Sequence, residues 1–153
     1  MEELSDYLFQ GNLAAAQECL NRGDNINGDE ERIRPIIAAI NSDKPEVLSF
    51  LIQNNVDVNI DFGSPLSEAI DYCIDGMLQN NRDKFNPEAL EMVRLLIAAG
   101  AKPDIQNEMG KRPIDVLISY SKNYTDNSID STYLEELKLM FNDVIPDIDG
   151  YFK

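Results

Sequence analysis

Glu68, Asp71, Tyr72 and Asp75 stand at i, i+3, i+4 and i+7, which places three carboxylates and a phenol on one face of a helix. Two chemistries could use such a row. Clustered carboxylates can divide into an acid and a base for hydrolysis when their environments differ. They can also attract a cationic surface. Hydrolysis needs more than this chain supplies, because it has no Gly-rich phosphate loop, no nucleophile elbow and no matched acid and base to set across a cleft. It also contains no histidine. That excludes Ser-His-Asp and Cys-His nucleophiles, an imidazole base near neutral pH and His-ligated zinc. The row reads as charge for recognition, or equally as the solvated face of a helix, and not as an enzyme's active site.

The whole chain shares its sign. Thirteen Lys and Arg against 28 Asp and Glu give a net charge of −15 over 153 residues. Such a surface repels nucleic acid and anionic membranes and favours basic partners, although solubility alone would also explain it. Apolar runs are short, IIAAI at Ile36–Ile40 being typical, far from the roughly 20 residues that span a bilayer. The N-terminal MEELSDYLF is acidic where a secretory signal would be basic. Cys19 and Cys73 lie in no CxxC or metal spacing and read as reduced core thiols of a cytoplasmic protein. No cofactor and no metal is expected. Arg22-Gly23-Asp24 falls on a helix stop, Asn123-Tyr124-Thr125 has no route to glycosylation, and Asp147-x-Asp149-Gly150 lacks the bidentate Glu of a calcium loop.

What positions the row is a repeat. GNLAAAQECLNRGDNIN (Gly11–Asn27), DKPEVLSFLIQNNVDVN (Asp43–Asn59) and EALEMVRLLIAAGAKPD (Glu88–Asp104) align over seventeen residues without a gap. Leu13, Ala16, Cys19 and Leu20, then Val47, Leu48, Leu51 and Ile52, then Leu90, Val93, Leu96 and Ile97 have the spacing of an amphipathic helix. Gly23, Asn55 and Gly100 follow as left-handed stops, and extended exits come next. Upstream, Arg34-Pro35-Ile36-Ile37, Ser64-Pro65-Leu66-Ser67 and Arg112-Pro113-Ile114-Asp115 each set proline at a helix start. Ala39 and Ala69 fall where two helices must approach closely. A helix pair that cannot bury its own face stacks on its neighbours.

This turn, helix, loop, helix, exit unit resembles the ankyrin repeat, with its TPLHxAA, VVxLLL and GADVN segments. The resemblance implies an all-α ankyrin-repeat solenoid forming a single domain over residues 1–153. It has about four helix-turn-helix repeats, near 1–27, 28–59, 60–104 and 105–141, with short turn tips and a capping tail over 142–153. The first lacks its opening turn, as a cap would, and the third and fourth carry extra residues between their helices, implying longer helices and larger loops. In the third, Asn86-Pro87 restarts the second helix; in the fourth, Thr132-x-x-Glu135 forms a capping box. The threonine and histidine of TPLH are missing throughout, so the hydrogen bonds that usually tie neighbouring turns must be weaker or different. Such irregularity is closer to bacterial ankyrin proteins than to regular eukaryotic arrays.

In ankyrin-like solenoids the concave side, made of turn tips and first helices, binds protein partners. The resemblance therefore points to Asp29, Glu30 and Glu31 on the second tip, Asp61 and Phe62 on the third, Met109 on the fourth, and the Glu68, Asp71, Tyr72, Asp75 row between them. Asp6 and Tyr120 fall in related columns of the outer repeats. An acidic groove holding Tyr72, Phe62 and Met109 would suit a basic protein. The expectation is a non-catalytic protein-binding module, monomeric alone, with no nucleic-acid or membrane partner. More specifically it looks like an acidic immunity protein that neutralises a basic bacterial toxin such as a nuclease. The alternative is a generic cytoplasmic or host-directed ankyrin adaptor with no toxin partner.

Overall fold

Helices stacked side by side frame the described backbone, which in the computed structural model comprises residues 3–29, 31–79, 87–123, 135 and 139. In chain order these are α1 (Leu4–Gln10), α2 (Leu13–Asn21), α3 (Pro35–Asn41), α4 (Pro45–Gln53), α5 (Ile60–Gln79), α6 (Pro87–Ala98) and α7 (Pro113–Asn123). The second helix of the fourth repeat, the Thr132 end of its capping box, Asn86 and the tail over 142–153 lie outside the described residues, save that Glu135 and Leu139 are helical. Each pair packs internally, α1 on α2, α3 on α4 and α5 on α6. The first helices then form a row, α1–α3–α5–α7, and α4 packs on α6 behind it.

The helix ends follow from the residues there. Pro35 opens α3 and Pro113 opens α7, while Pro65 begins the regular part of α5. The stops at Gly23, Asn55 and Gly100 are all left-handed, at φ of +98°, +67° and +99°. Each is closed the same way: the next amide reaches back to the last turn, Asp24 to Cys19, Val56 to Leu51 and Ala101 to Leu96, at 2.9–3.2 Å. One boundary departs from the aligned pattern. α6 begins at Pro87, three residues before the Leu90 column at which α2 begins, so the third repeat's second helix is longer. Its first helix is lengthened too, since α5 runs on to Gln79.

The core lies between the rows. Ala16 and Cys19, Val47, Leu48 and Leu51, and Ala89, Met92, Val93 and Leu96 supply the second helices' share. Leu8, Ile36, Ile40, Leu66, Ile70, Ile74, Ile114 and Leu117 supply the first helices' share. Fully burying one such side chain is worth about 1.5–3 kcal/mol. Ala39 and Ala69 are sealed between helices, as their small size allows. Cys19 and Cys73 are buried free thiols, and burial pushes the Cys19 thiol up from its ordinary pKa.

Successive repeats are stapled through their exits. The Asn27 Oδ1 accepts from the Asp57 amide at 2.9 Å, and one repeat later the Asn59 Oδ1 accepts from the Lys102 amide at 2.7 Å. Asn59 also donates from Nδ2 to the Gly100 carbonyl at 3.1 Å. These equivalent asparagines close the last column of the aligned repeat. They do work that neither helix periodicity nor turn chemistry signals.

Candidate functional site

Each turn tip on the concave side is a small hydrogen-bonded construction, and what it presents follows from how it is tied. In the second tip the Asn25 side chain caps the amides of Asn27 and Gly28. Gly28 is left-handed and jammed against Pro35, so that a Cβ there would meet Pro35 Cδ at 2.3 Å. Glu31 turns inward and accepts from the Ser5 amide at 2.9 Å, joining this tip to α1. Asp29 stays exposed but accepts from Arg34 Nη1 at 2.8 Å. Glu30 lies outside the described residues.

Arg34 replaces the missing inter-turn contacts. Besides Asp29, it donates to the Asn27 carbonyl at 3.1 Å and, through Nε and Nη2, to both oxygens of Asp61 at 2.9 and 3.1 Å. Two of the tip carboxylates are thus shared with the chain's own guanidinium, which those partners hold above its ordinary pKa, the Asp61 bond foremost.

The third tip is unusual in its backbone. Asp61, Phe62 and Gly63 are successively left-handed, at φ of +54°, +59° and +82°. This conformation costs an L-residue roughly 1–2 kcal/mol. It is held by Arg34 on Asp61 and by the Gly63 amide on the Asn59 carbonyl at 3.1 Å. Gly63 sits so close to Ile105 and Pro113 that a Cβ would fall 2.7–2.8 Å from them. The outcome is an aromatic ring, Phe62, left 50% exposed at the rim. In the fourth tip, Asn107 Oδ1 accepts from the amides of Met109 and Lys111 at 2.9 Å, and Met109 projects from that turn 81% exposed.

The α5 row splits by depth. Glu68 is half-buried, accepts from Asn41 on α3, and is held above the usual carboxylate range by burial first and by the charge of Asp71 second. Tyr72 packs against the core and donates to Asp43; burial, then the nearby Asp43 charge, raises its phenol. Asp71 is exposed and Asp75 half-buried. Glu68 and Tyr72 therefore face the second repeat, while Asp71 faces the fourth.

Clefts among the described residues include two along the tips and first helices. One, of about 660 Å³ between the third and fourth repeats, is lined by Asp61, Phe62, Ser64, Ser67 and Asp71 on one side and by Asn107, Lys111, Arg112, Asp115, Val116 and Ser119 on the other. Arg112 is committed there to Asp115 at 2.8 Å, and Asp115 also caps the Arg112 amide at 2.8 Å, which holds its carboxyl below the usual range. The other cleft, of about 570 Å³ over the first two repeats, has Glu3, Asp6, Phe9, Arg32, Ile33 and Asn41 in its lining. Of the expected residues, Asp61, Phe62 and Asp71 come together in the first cleft, and Met109 flanks it beside Lys111 and Arg112. Sequence reasoning missed Phe9 and Ile33, both exposed large apolar residues, and the basic pair Lys111-Arg112. The signal for Phe9 was its place at the end of α1, outside that helix's buried stripe of Leu4 and Leu8.

Neither a protein-family model nor a curated protein sequence matches the chain. Among solved structures it is similar to the ankyrin repeat domain of Bcl-3, a member of the IkappaB protein family, at a TM-score of 0.58 and 19% identity. The match covers 88% of this chain and 49% of that one, so the chain spans about half its length. The stacked helix pairs, left-handed stops and this likeness agree: the chain has the ankyrin-repeat fold.

Proposed function

We propose that the chain is a non-catalytic protein-binding module whose concave face takes a basic protein, and that it acts as an immunity protein neutralising a cognate basic bacterial toxin, such as a nuclease. The observation that carries this reading is the net charge of −15 on a fold whose curvature creates an extended binding surface. Nuclease domains hold phosphates and so expose basic clefts. An acidic binder exploits steering, with association rates up to about 10⁸–10⁹ M⁻¹s⁻¹ at low salt. Glu68, Asp71 and Asp75 are the charge anchors of this reading, with Tyr72, Phe62 and Met109 as apolar contacts and Asp29, Glu30, Glu31 and Asp61 at the rim. It places the protein in the cytoplasm as a monomer, with neither nucleic acid nor membrane as partner.

The test is genetic. The open reading frame beside this one is expressed alone and with this chain. Arrest of growth by the neighbour, relieved by this chain, supports immunity; a neighbour without toxicity overturns it and leaves a generic adaptor. Lys111 and Arg112 in the larger cleft favour that second reading, since a purely electrostatic inhibitor gains nothing from cations there.

A further inference from the structure

Asn27-Gly28 is the chain's one Asn-Gly pair, and such a pair can react with itself. The glycine nitrogen attacks the asparagine side-chain carbonyl carbon, unobstructed because glycine has no Cβ. Ammonia leaves and a succinimide ring closes. Water then opens the ring on either side, giving aspartate or isoaspartate, in which the main chain runs through the former side chain. In this fold both reacting groups are held elsewhere. The Gly28 N–H donates to the Asn25 carbonyl at 3.0 Å and to Asn25 Oδ1 at 3.2 Å. The Asn27 side-chain carbonyl accepts from the Asp57 amide at 2.9 Å, across the repeat boundary. The Asn27 main chain is fixed as well, its N–H on Asn25 Oδ1 at 2.8 Å and its carbonyl on Arg34 Nη1 at 3.1 Å.

We propose that Asn27 is a self-modification site guarded by the second tip: deamidation proceeds only when the tip opens, and its isoaspartate product unstaples the first repeat from the second. The two products differ in what they keep. Aspartate retains a side-chain oxygen where the Asp57 amide donates, so the staple survives. Isoaspartate lengthens the main chain by a methylene. The former side-chain carbonyl becomes the peptide carbonyl to Gly28, and a free carboxylate replaces the carbonyl that faced Arg34. The tip has no slack for this. Gly28 is buried, left-handed at φ +66°, and so close to Pro35 that a Cβ would lie 2.3 Å from its Cδ. The longer chain therefore shifts the tip and draws the carbonyl off the Asp57 amide. Asp29 and Glu31, which the same tip carries against Arg34 and Ser5, move with it.

The full chain is aged in mildly alkaline buffer, folded and in denaturant. Conversion at Asn27 is followed by peptide mass, and isoaspartate is counted with an isoaspartyl methyltransferase. Tip reclosing outpaces ring closure, so conversion tracks the open population and is expected to be about tenfold or more slower in the folded chain. Asn25→Ala removes the Oδ1 acceptor and should speed folded conversion about fivefold, as for the loss of one hydrogen bond. Asn25→Asp, which keeps that acceptor, should not. If Asn25→Ala fails to fold, the wild type below its unfolding transition decides: conversion should rise with denaturant in step with Gly28 amide exchange. Equal rates in folded and denatured chain, no acceleration in folded Asn25→Ala, or conversion unrelated to Gly28 exchange overturns the guard. The isoaspartate-bearing chain, purified and refolded, should exchange faster at the Asp57 amide and unchanged at Lys102, while Asn27→Asp matches the wild type at both. Wild-type protection of Asp57 in the isoaspartate-bearing chain overturns the unstapling.

Discussion

Arg34 on the second repeat holds Asp61 on the third through two hydrogen bonds, from Nε at 2.9 Å and Nη2 at 3.1 Å, while its Nη1 keeps Asp29 at 2.8 Å. One side chain therefore ties two neighbouring turns where the family pattern would place threonine and histidine. Lysine has no planar fork and cannot reproduce the bidentate hold on Asp61 together with the bond to Asp29. Arg34→Lys is expected to lower stability by about 1 kcal/mol, less at high salt because Asp29 and Asp61 are largely exposed. Urea unfolding at two salt concentrations checks this.

The exit staple makes a second prediction. Asn59→Ala leaves the Lys102 amide and the Gly100 carbonyl without the partner they now share, a loss of about 1–2 kcal/mol. Hydrogen exchange at Lys102 should accelerate in this variant while that at Asp57, stapled by Asn27, changes little.

At position 62 the usual order of alanine over glycine should reverse. With φ at +59°, Phe62→Gly is expected to be more stable than Phe62→Ala by about 1 kcal/mol. Comparison of their thermal midpoints decides it.

Glu68 supplies a pH signature. Its carboxyl is held above the usual range by burial and by Asp71, so its ionisation works against folding. Below the ordinary carboxylate range it is protonated in both states and contributes no penalty; the penalty grows as pH rises through its folded value. Glu68→Gln should therefore stabilise the chain at neutral pH, by about 0.5 kcal/mol after solvent screening. The gain should fade to nothing in acid. Asp115 has the opposite sign: Arg112 lowers its carboxyl, so the stability it gives is present at neutral pH and is lost as pH falls through that lowered value. Unfolding curves for both asparagine and glutamine variants across acid to neutral pH test the pair.

Much of the fold was legible because it rests on local rules. Pro35 and Pro113 start first helices whose φ they preset, and Gly23, Asn55 and Gly100 follow the second helices as stops in the left-handed conformation that Gly and Asn tolerate. The ties between repeats were not legible. Nothing near Arg34 announces Asp61, and nothing near Asn59 announces Lys102, because these contacts depend on the stacking itself. The candidate site divides in the same way. Helical spacing put Glu68, Asp71, Tyr72 and Asp75 on one row, but only packing tells that Glu68 and Tyr72 lean on Asn41 and Asp43 of the second repeat. The left-handed run at Asp61 and Phe62 was not legible, since Asp visits that region only as a single residue and Phe is disfavoured there.

The most direct measurement is capture of partners from lysate of the native organism by three tagged proteins at low and high salt. These are the wild type, a variant with Glu68→Gln, Asp71→Asn and Asp75→Asn, and a control with Glu18, Glu46 and Glu88 of the second helices changed to Gln. Both variants lose the same charge. The account predicts a basic protein, identified by mass, that binds the wild type and the control at low salt and is lost from the α5 variant. A neutral partner, indifference to salt, or equal loss from both variants would contradict it.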